Sequence, residues 1–414
     1  MSPEILYWLQ DVREHLRVSQ RRKALRQPGQ GTDHAAGKDA VQQVVSRLHP
    51  KRMRLRVVEV VQETTTTKTF RFERLDGPLP PFRPGQYVNV FVDVDGVQTS
   101  RPYSISSPPS AGPPSAIAGG TETLDLTVRD KPGGFVAPYL LSEVHAGDEL
   151  ETTGPAGSFY HEPLIDGLKL VFLGGGSGIT PFVSIIRDAL SGSADGPALQ
   201  IHLLYGSRVL DDVIMGQELA NLAAQHPSFH YSLVISEPPP GGEGVHQGRP
   251  YLTGFLSADL IREQVDDVTN KTFYICGPNM MYDFCLSALQ ELGVPHYKIK
   301  RELYGPPDDV TKEPGWSQDL LPSTMFDIEV EISGQKDPKT IRAAAGEPLL
   351  NSLERYGIIV PAICRAGECS ACRTRLVSGQ VFQPAHTGLR ESDREHGYIH
   401  ACVSYPLGDL RIRL

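Results

Sequence analysis

Four cysteines constrain this chain more than any other feature. Cys364, Cys369 and Cys372 fall within nine residues, and Cys402 follows about 30 residues later. Three thiols on one short loop, completed by a fourth from a distant segment, suit an inorganic centre that the loop wraps. A disulfide framework is a poor match, because six cysteines in 414 residues at uneven spacing do not staple a small domain. Gly367 permits a left-handed turn inside the loop, which brings backbone N–H groups toward the sulfurs. Ser370 and Ala371 are small enough for close approach. Zinc is the competing occupant, but zinc ribbons usually pair one C-x₂-C with another, and that is not the pattern here.

The rest of the chain divides by periodicity. Residues 1–50 stand apart: Ile5, Leu6, Leu9, Val12 and Leu16 recur at helical spacing, a basic cluster follows at Arg21, Arg22, Lys23 and Arg26, and a second short helix is expected from Asp39 to Leu48. Residues 1–54 hold eleven Lys/Arg and five Asp/Glu, 11 − 5 = +6, against -9 for the whole chain. That overall balance argues against a nucleic-acid partner. Met1 to Leu16 carries Glu4, Asp11 and Glu14 and has no apolar core run, so no signal peptide is expected. No run of about 18 apolar residues occurs, so no membrane span is expected, and a cytoplasmic setting follows.

From residue 51 to 160 strand patterns dominate, with alternation over Leu55–Val61 and β-branched and aromatic residues from Thr64 to Phe72. An antiparallel β-barrel is expected there. Residues 161–305 alternate strand and helix, which implies a parallel sheet. Residues 306–323 read as a linker. A third domain, 324–414, opens on an alternating strand from Phe326 and carries the cysteine loop. The expected whole is multi-domain, α+β and α/β.

Two motifs point to bound cofactors. Arg101-Pro102-Tyr103-Ser104 offers a cation, an aromatic face and a hydroxyl, the set that a flavin's phosphates, ring and N5 require. Arg101 and Tyr103 share a strand face, whereas Ser104 reaches the ring from the other side or through a bend. Thr127, Val128 and Arg129 lie on a strand expected to border the ring or its ribityl chain. Gly133, Gly134, Phe135 and Val136 then open a short helix whose N-terminal amides suit phosphate. In the second motif, Gly175, Gly176, Ser177, Gly178, Thr180 and Pro181 make a strand–turn–helix junction that lets backbone approach a pyrophosphate. Ser207 and Arg208, ending the next strand, are candidates for a ribose 2′-phosphate; if Arg208 is only a solvated loop residue, NADH replaces NADPH. Cys276-Gly277-Pro278 ends a further strand.

These motifs resemble the ferredoxin–NADP reductase superfamily over residues 51–305, and the cysteine loop resembles plant-type 2Fe–2S ferredoxins over 324–414, about 360 of 414 residues together. The resemblance implies a β-grasp-like third domain, FAD rather than FMN as the favoured flavin, a 2Fe–2S cluster on the four cysteines, and NADPH or NADH as electron donor. It implies that the Cys276 turn lies beside the nicotinamide and that Glu302 sits near the flavin to assist proton movement, unless Glu302 is a surface ion-pair residue. Ser104, Cys276 and Glu302 are thus the residues expected nearest the chemistry. The family usually has Ser or Thr where Ala137 stands, which removes one hydroxyl contact. The domain order is similar to that of oxygenase reductase components, so the expected role is to convert a two-electron hydride into single electrons for a partner such as an oxygenase. Two competing roles are an electron-input subunit of a larger complex and a cluster-based redox sensor. The N-terminal extension is expected to dock a partner or an anionic membrane surface, or else to pack on its own barrel.

Overall fold

A computed structural model describes residues 12–13, 15–20, 50–109, 123–131, 133–191, 198–242, 244–385 and 387–414. Residues 12–13 and 15–20 are helical, as their spacing predicts. The basic cluster and the helix expected at 39–48 lie outside the described residues. Arg52–Leu414 forms one compact unit. Among the described residues no helix is long and apolar enough to cross a membrane.

The first domain is a six-stranded antiparallel sheet of β1 (Met53–Thr64), β2 (Thr67–Arg74), β3 (Tyr87–Val94), β4 (Val97–Ser104), β5 (Thr123–Arg129) and β6 (Glu149–Thr152), in the order β4-β3-β6-β1-β2-β5. A bridge between Ile105 and Leu126 joins its two edges and closes it into a barrel. Strict alternation drives closure: Met53, Leu55 and Val57 point inward while Arg54 and Arg56 face solvent. The β-branched run from Thr64 is not one strand. Its start forms the turn between β1 and β2, because four consecutive threonines supply hydroxyls that bond locally, Thr66 N–H to Thr64 Oγ1 among them. Helix α1 (Val136–Glu143) plugs the barrel with Val136 and Leu140.

The second domain is a seven-stranded sheet of β7 (Lys169–Gly175), β8 (Gln200–Ser207), β9 (Phe229–Ile235), β10 (Gly244–His246), β11 (Arg249–Thr253), β12 (Thr272–Cys276) and β13 (Ile299–Glu302), ordered β10-β11-β9-β8-β7-β12-β13. All pairs except β10–β11 are parallel. Its centre is apolar on both faces, as β7 shows with Leu170 to Leu173 all buried. After α2 (Pro163–Asp166), helices α3 (Thr180–Leu190) and α4 (Gly216–Gln225) cover one face, and α5 (Ala258–Gln264) and α6 (Asn279–Glu291) the other. The chain leaves β7 toward β8 on one side and reaches β12 on the other, so a crevice opens above β7 and β12 at their carboxyl ends.

The third domain is a mixed sheet of β14 (Met325–Glu331), β15 (Lys339–Ala344), β16 (Arg373–Ser378), β18 (Tyr398–His400) and β20 (Leu410–Arg413), in the order β15-β14-β20-β16-β18, with a small ribbon of β17 (Val381–Phe382) and β19 (Tyr405–Pro406). Helix α7 (Leu349–Arg355) packs Leu349, Leu350 and Leu353 against Ile328, Val330 and Ile412. A second, short helix, α8 (Glu391–Glu395), precedes β18. The expected fold class, a flavin-type barrel, a parallel nucleotide-type sheet and a β-grasp-like ferredoxin domain, is what the chain adopts.

His202 on β8 stands opposite His230 on β9. Burial, then the charge of His230, pulls its pKa from 6.5 down to about 4. The unfolded chain therefore binds a proton near pH 6.5 that the folded chain refuses until about 4. This contribution to stability is complete above pH 6.5 and is lost as pH falls toward 4. Denaturation midpoints of His202→Gln should fall less steeply than wild type across that window, and parallel curves would contradict the assignment.

Candidate functional site

The cysteine loop is built on three left-handed residues, Arg365 (φ 56), Gly367 (φ 80) and Ser370 (φ 58). They curl the backbone so that the N–H groups of Ala366, Glu368 and Cys369 all reach Cys364 Sγ at 3.4 Å. Any side chain at Gly367 would strike Val403, 2.8 Å from where its Cβ would lie. His400 braces the loop from below, Nδ1 to the Gly367 carbonyl at 2.7 Å and Nε2 to Ser370 Oγ at 3.1 Å.

The thiols form two pairs. Cys372 and Cys402 are 3.2 Å apart, and Cys364 bonds to Cys369. In each pair one thiol is drawn toward thiolate by its partner's hydrogen bond: Cys369 falls to about 6, and Cys372 is also lowered. Among the described residues no three ligating side chains surround a single ion position. Two thiol pairs match two irons, one pair each, whereas zinc requires all four around one centre. The donor set, two thiol pairs on a loop with a left-handed glycine, fits a 2Fe–2S cluster.

On the barrel, Arg101 is partly buried and donates to Thr99 Oγ1 at 2.6 Å and to the Ser100 carbonyl at 2.8 Å. Burial, then the charge of Arg365, pushes its pKa down to about 10. A cation so placed is short of an anion, which the phosphates of a flavin supply. Tyr103 is held protonated by burial. Ser104 lies on the opposite strand face, buried, with its Oγ 2.5 Å from the hydroxyl of Tyr304. The Thr127 hydroxyl is engaged by Thr69 and Ser106, each at 2.9 Å. Val128 and Val136 spend their side chains on the barrel core, so their backbone is what they offer a ligand. Arg129 leaves the barrel and pairs with Asp212 at 2.7 Å, beneath Gly176. Gly133 takes φ 71, Gly134 N–H closes a turn on the Lys131 carbonyl at 2.7 Å, and Phe135 is exposed just ahead of α1. Pro102 is partly buried, and Ala137 packs against the barrel core.

At the crevice, β7 runs into a tight turn (Gly176–Ile179) and then α3, with Pro181 in its first turn. Thr180 Oγ1 donates to the Ser177 carbonyl at 3.0 Å. The turn meets the end of β12 directly: a Cβ on Gly178 would lie 2.1 Å from the Cys276 carbonyl, and one on Gly175 3.0 Å from Pro278. Met281 sulfur closes on both Gly175 and Gly277. Cys276 is fully buried and its thiol is pushed well up by burial. Ser207 is buried and donates to the Val209 carbonyl at 2.9 Å, while Arg208 is exposed and 3.9 Å from Glu237.

Glu302 is buried rather than a surface ion-pair residue, and its carboxyl is pushed well up by burial, then by the charges of Glu368 and Cys364. It also bonds Tyr304, whose hydroxyl meets Ser104. Barrel, sheet and cysteine loop therefore converge on Ser104, Tyr304, Glu302 and Cys364. Tyr304 and Tyr87, 6.5 Å apart edge to face, complete this zone. The sequence singles out Ser104, Glu302 and Cys364, but not Tyr304 or Tyr87.

Three family models match in order: an oxidoreductase FAD-binding domain at 53–161, an oxidoreductase NAD-binding domain at 172–286, and a 2Fe-2S iron-sulfur cluster binding domain at 330–407. The ferredoxin reductase component of 3-ketosteroid-9-alpha-monooxygenase from Mycobacterium tuberculosis is 30% identical over 370 residues, 86% of this chain and 94% of that one. This chain belongs to the ferredoxin–NADP reductase superfamily, in the branch that carries a C-terminal 2Fe–2S ferredoxin domain. The glycine betaine monooxygenase reductase subunit of Pseudomonas aeruginosa is 28% identical over 86% of the chain and 94% of its own length. The fold of phthalate dioxygenase reductase matches with a TM-score of 0.63 at 19% identity, over 88% of this chain and 98% of that one. The reductase is thus an NAD(P)H-dependent oxidoreductase using FAD and a 2Fe–2S cluster.

Gly178→Ala tests the crevice. Its methyl group cannot fit without parting β7 from β12. The variant should retain flavin and cluster absorbance while KM for the nucleotide rises by about tenfold or more. An unchanged KM would place nucleotide binding elsewhere.

Proposed function

We propose that this reductase takes its electrons from NAD(P)H at the β7–β12 crevice, holds FAD along β4, and delivers single electrons through the four-cysteine cluster to the terminal oxygenase of a cytoplasmic multicomponent oxygenase system. The observation that carries this reading is the convergence of three segments: Ser104 from the barrel, Glu302 and Tyr304 from the end of the parallel sheet, and Cys364 from the cluster loop. When bound, the flavin accepts a hydride equivalent from the nucleotide and releases its electrons one at a time to the cluster.

The chain's own residues supply position and charge. Arg101 offers the flavin phosphates a poorly solvated cation, with the Gly133–Val136 amides as a second anchor. Tyr103 offers an aromatic face, and Ser104, oriented by Tyr304, presents a hydroxyl. Thr127, Val128 and Arg129 border the ring. Gly175 and Gly178 let the turn pack against Gly277, Pro278 and the Cys276 carbonyl, and the amides of Gly175 to Pro181 are proposed to receive the nucleotide's pyrophosphate. Cys276 remains a protonated thiol that packs and positions. Glu302, its carboxyl pushed well up by burial, is the group proposed to hold or move a proton beside Tyr304. Cys364, Cys369, Cys372 and Cys402 hold the cluster, and Cys369, the exposed one of the four, is where the acceptor is proposed to approach. The oxygenase partner is proposed because the relatives named above are reductases of oxygenases. Arg208, exposed and 3.9 Å from Glu237, is the cation proposed to meet a 2′-phosphate if NADPH is the donor; as a solvated loop residue it goes with NADH.

Cys402→Ser separates the two halves of the path. The variant should reduce ferricyanide, a small oxidant that draws on the flavin, at the wild-type rate and lose reduction of cytochrome c. Equal loss of both, with flavin still bound, would contradict the order of carriers.

A further inference from the structure

One buried carboxylate joins the cysteine loop to the flavin strand. Thr99 on β4 donates its hydroxyl to Glu354 Oε2 at 2.9 Å. Arg365, the residue after Cys364, bonds Glu354 Oε1 through Nη2 and reaches Thr99 Oγ1 at 3.0 Å. Arg101 reaches the same oxygen at 2.6 Å. Thr99, Glu354 and Arg365 are 6%, 8% and 3% exposed. They come from two domains, separated by 255 and 266 residues of chain from Thr99.

The arrangement fixes register more than it adds stability. The Thr99 oxygen accepts two guanidinium N–H groups and gives its one hydrogen to Glu354, so its bonding capacity is used up. Burying the Arg365–Glu354 pair costs desolvation that its attraction only partly offsets. Arg365 Nε is buried without a partner, and the residue sits at φ 56, a left-handed conformation that disfavours any side chain. What is obtained is directional: the ferredoxin domain cannot slide on the barrel without breaking bonds in a dry interface. Arg365 is one peptide from a cluster ligand, and Thr99 is two residues from the cation expected on the flavin.

We propose that Glu354 is a positioning residue for electron transfer: through Arg365 and Thr99 it sets the placement of the cluster loop relative to the flavin strand. The proposal rests on the electron path given under the proposed function.

The test uses the full-length, cofactor-replete protein as Glu354→Gln, Thr99→Val and the double variant. Stopped-flow absorbance after anaerobic mixing with NAD(P)H reads flavin bleaching and cluster reduction separately. Low-temperature EPR reads the cluster itself, and hydrogen exchange reads the amides of residues 365–369. In Glu354→Gln flavin bleaching should keep the wild-type rate, and in every variant cluster reduction should slow by about tenfold or more relative to flavin bleaching, the EPR line shape should hold, and the loop amides should lose protection. The double variant should be no slower than the worse single one, because both remove the same link. Cluster reduction at the wild-type rate, with or without lost protection, overturns the proposal, as does additivity of the two changes. Thr99→Val, which keeps the β-branched shape, carries the test if Glu354→Gln does not fold. A wild-type cluster that stays oxidised while flavin bleaches instead overturns the electron path itself.

Discussion

The contact between Ser104 and Tyr304 is where the three domains become one device. Ser104 ends the barrel strand that carries Arg101 and Tyr103, and Tyr304 follows the last strand of the parallel sheet. Glu302, two residues back, reaches toward Glu368 and Cys364 on the cluster loop. Cys364 and Ala366 share an apolar core with Leu303 and Ile275 of the second domain. A chain that hands electrons between groups held by separate domains must fix their spacing, and here close-packed contacts do so. The barrel–sheet contact is similarly bound, by Arg187 to the Ser106 carbonyl at 2.8 Å, Ser184 to the Ser107 carbonyl at 2.7 Å and Arg129 to Asp212.

Charge follows the same logic. Arg101 and Arg365 share the neighbourhood of one carboxylate, Glu354, which leaves positive charge in excess where a flavin's phosphates are expected. At the other end of the zone the excess is negative: Glu302 and Glu368 both have raised carboxyl pKa values beside the cluster thiols. Burial drives both shifts first; the charges of Glu368 and Cys364 add to that of Glu302, whereas Arg301 opposes that of Glu368 and Cys364 adds to it. The interface is therefore cationic toward the flavin strand and rich in carboxyl groups toward the crevice.

Local motifs were legible in the sequence. The Cys364–Cys372 loop, the Gly175–Pro181 turn and the Arg101–Ser104 strand each carry their chemistry within a few residues, where turn geometry and side-chain type leave little freedom. The central strands β7, β8 and β12 were legible because burial on both faces writes a continuous apolar run. What was not legible depends on contacts across the chain. Thr99, Glu354 and Arg365 have no shared motif, and nothing local marks Glu302 as buried. The short strands β16 to β20 lack a period long enough to read. The Thr64–Thr67 turn was hidden because threonine favours strands, and its hydroxyl-bonded turn is set by pairing rather than propensity.

The account stands on a single path, nucleotide to flavin to cluster. It is tested most directly by mixing the purified, cofactor-replete reductase anaerobically with NADPH and, separately, with NADH, and following visible absorbance and low-temperature EPR. Rapid bleaching of the flavin followed by a rhombic 2Fe–2S signal is the expected result. A bleached flavin beside a cluster that stays oxidised would contradict it.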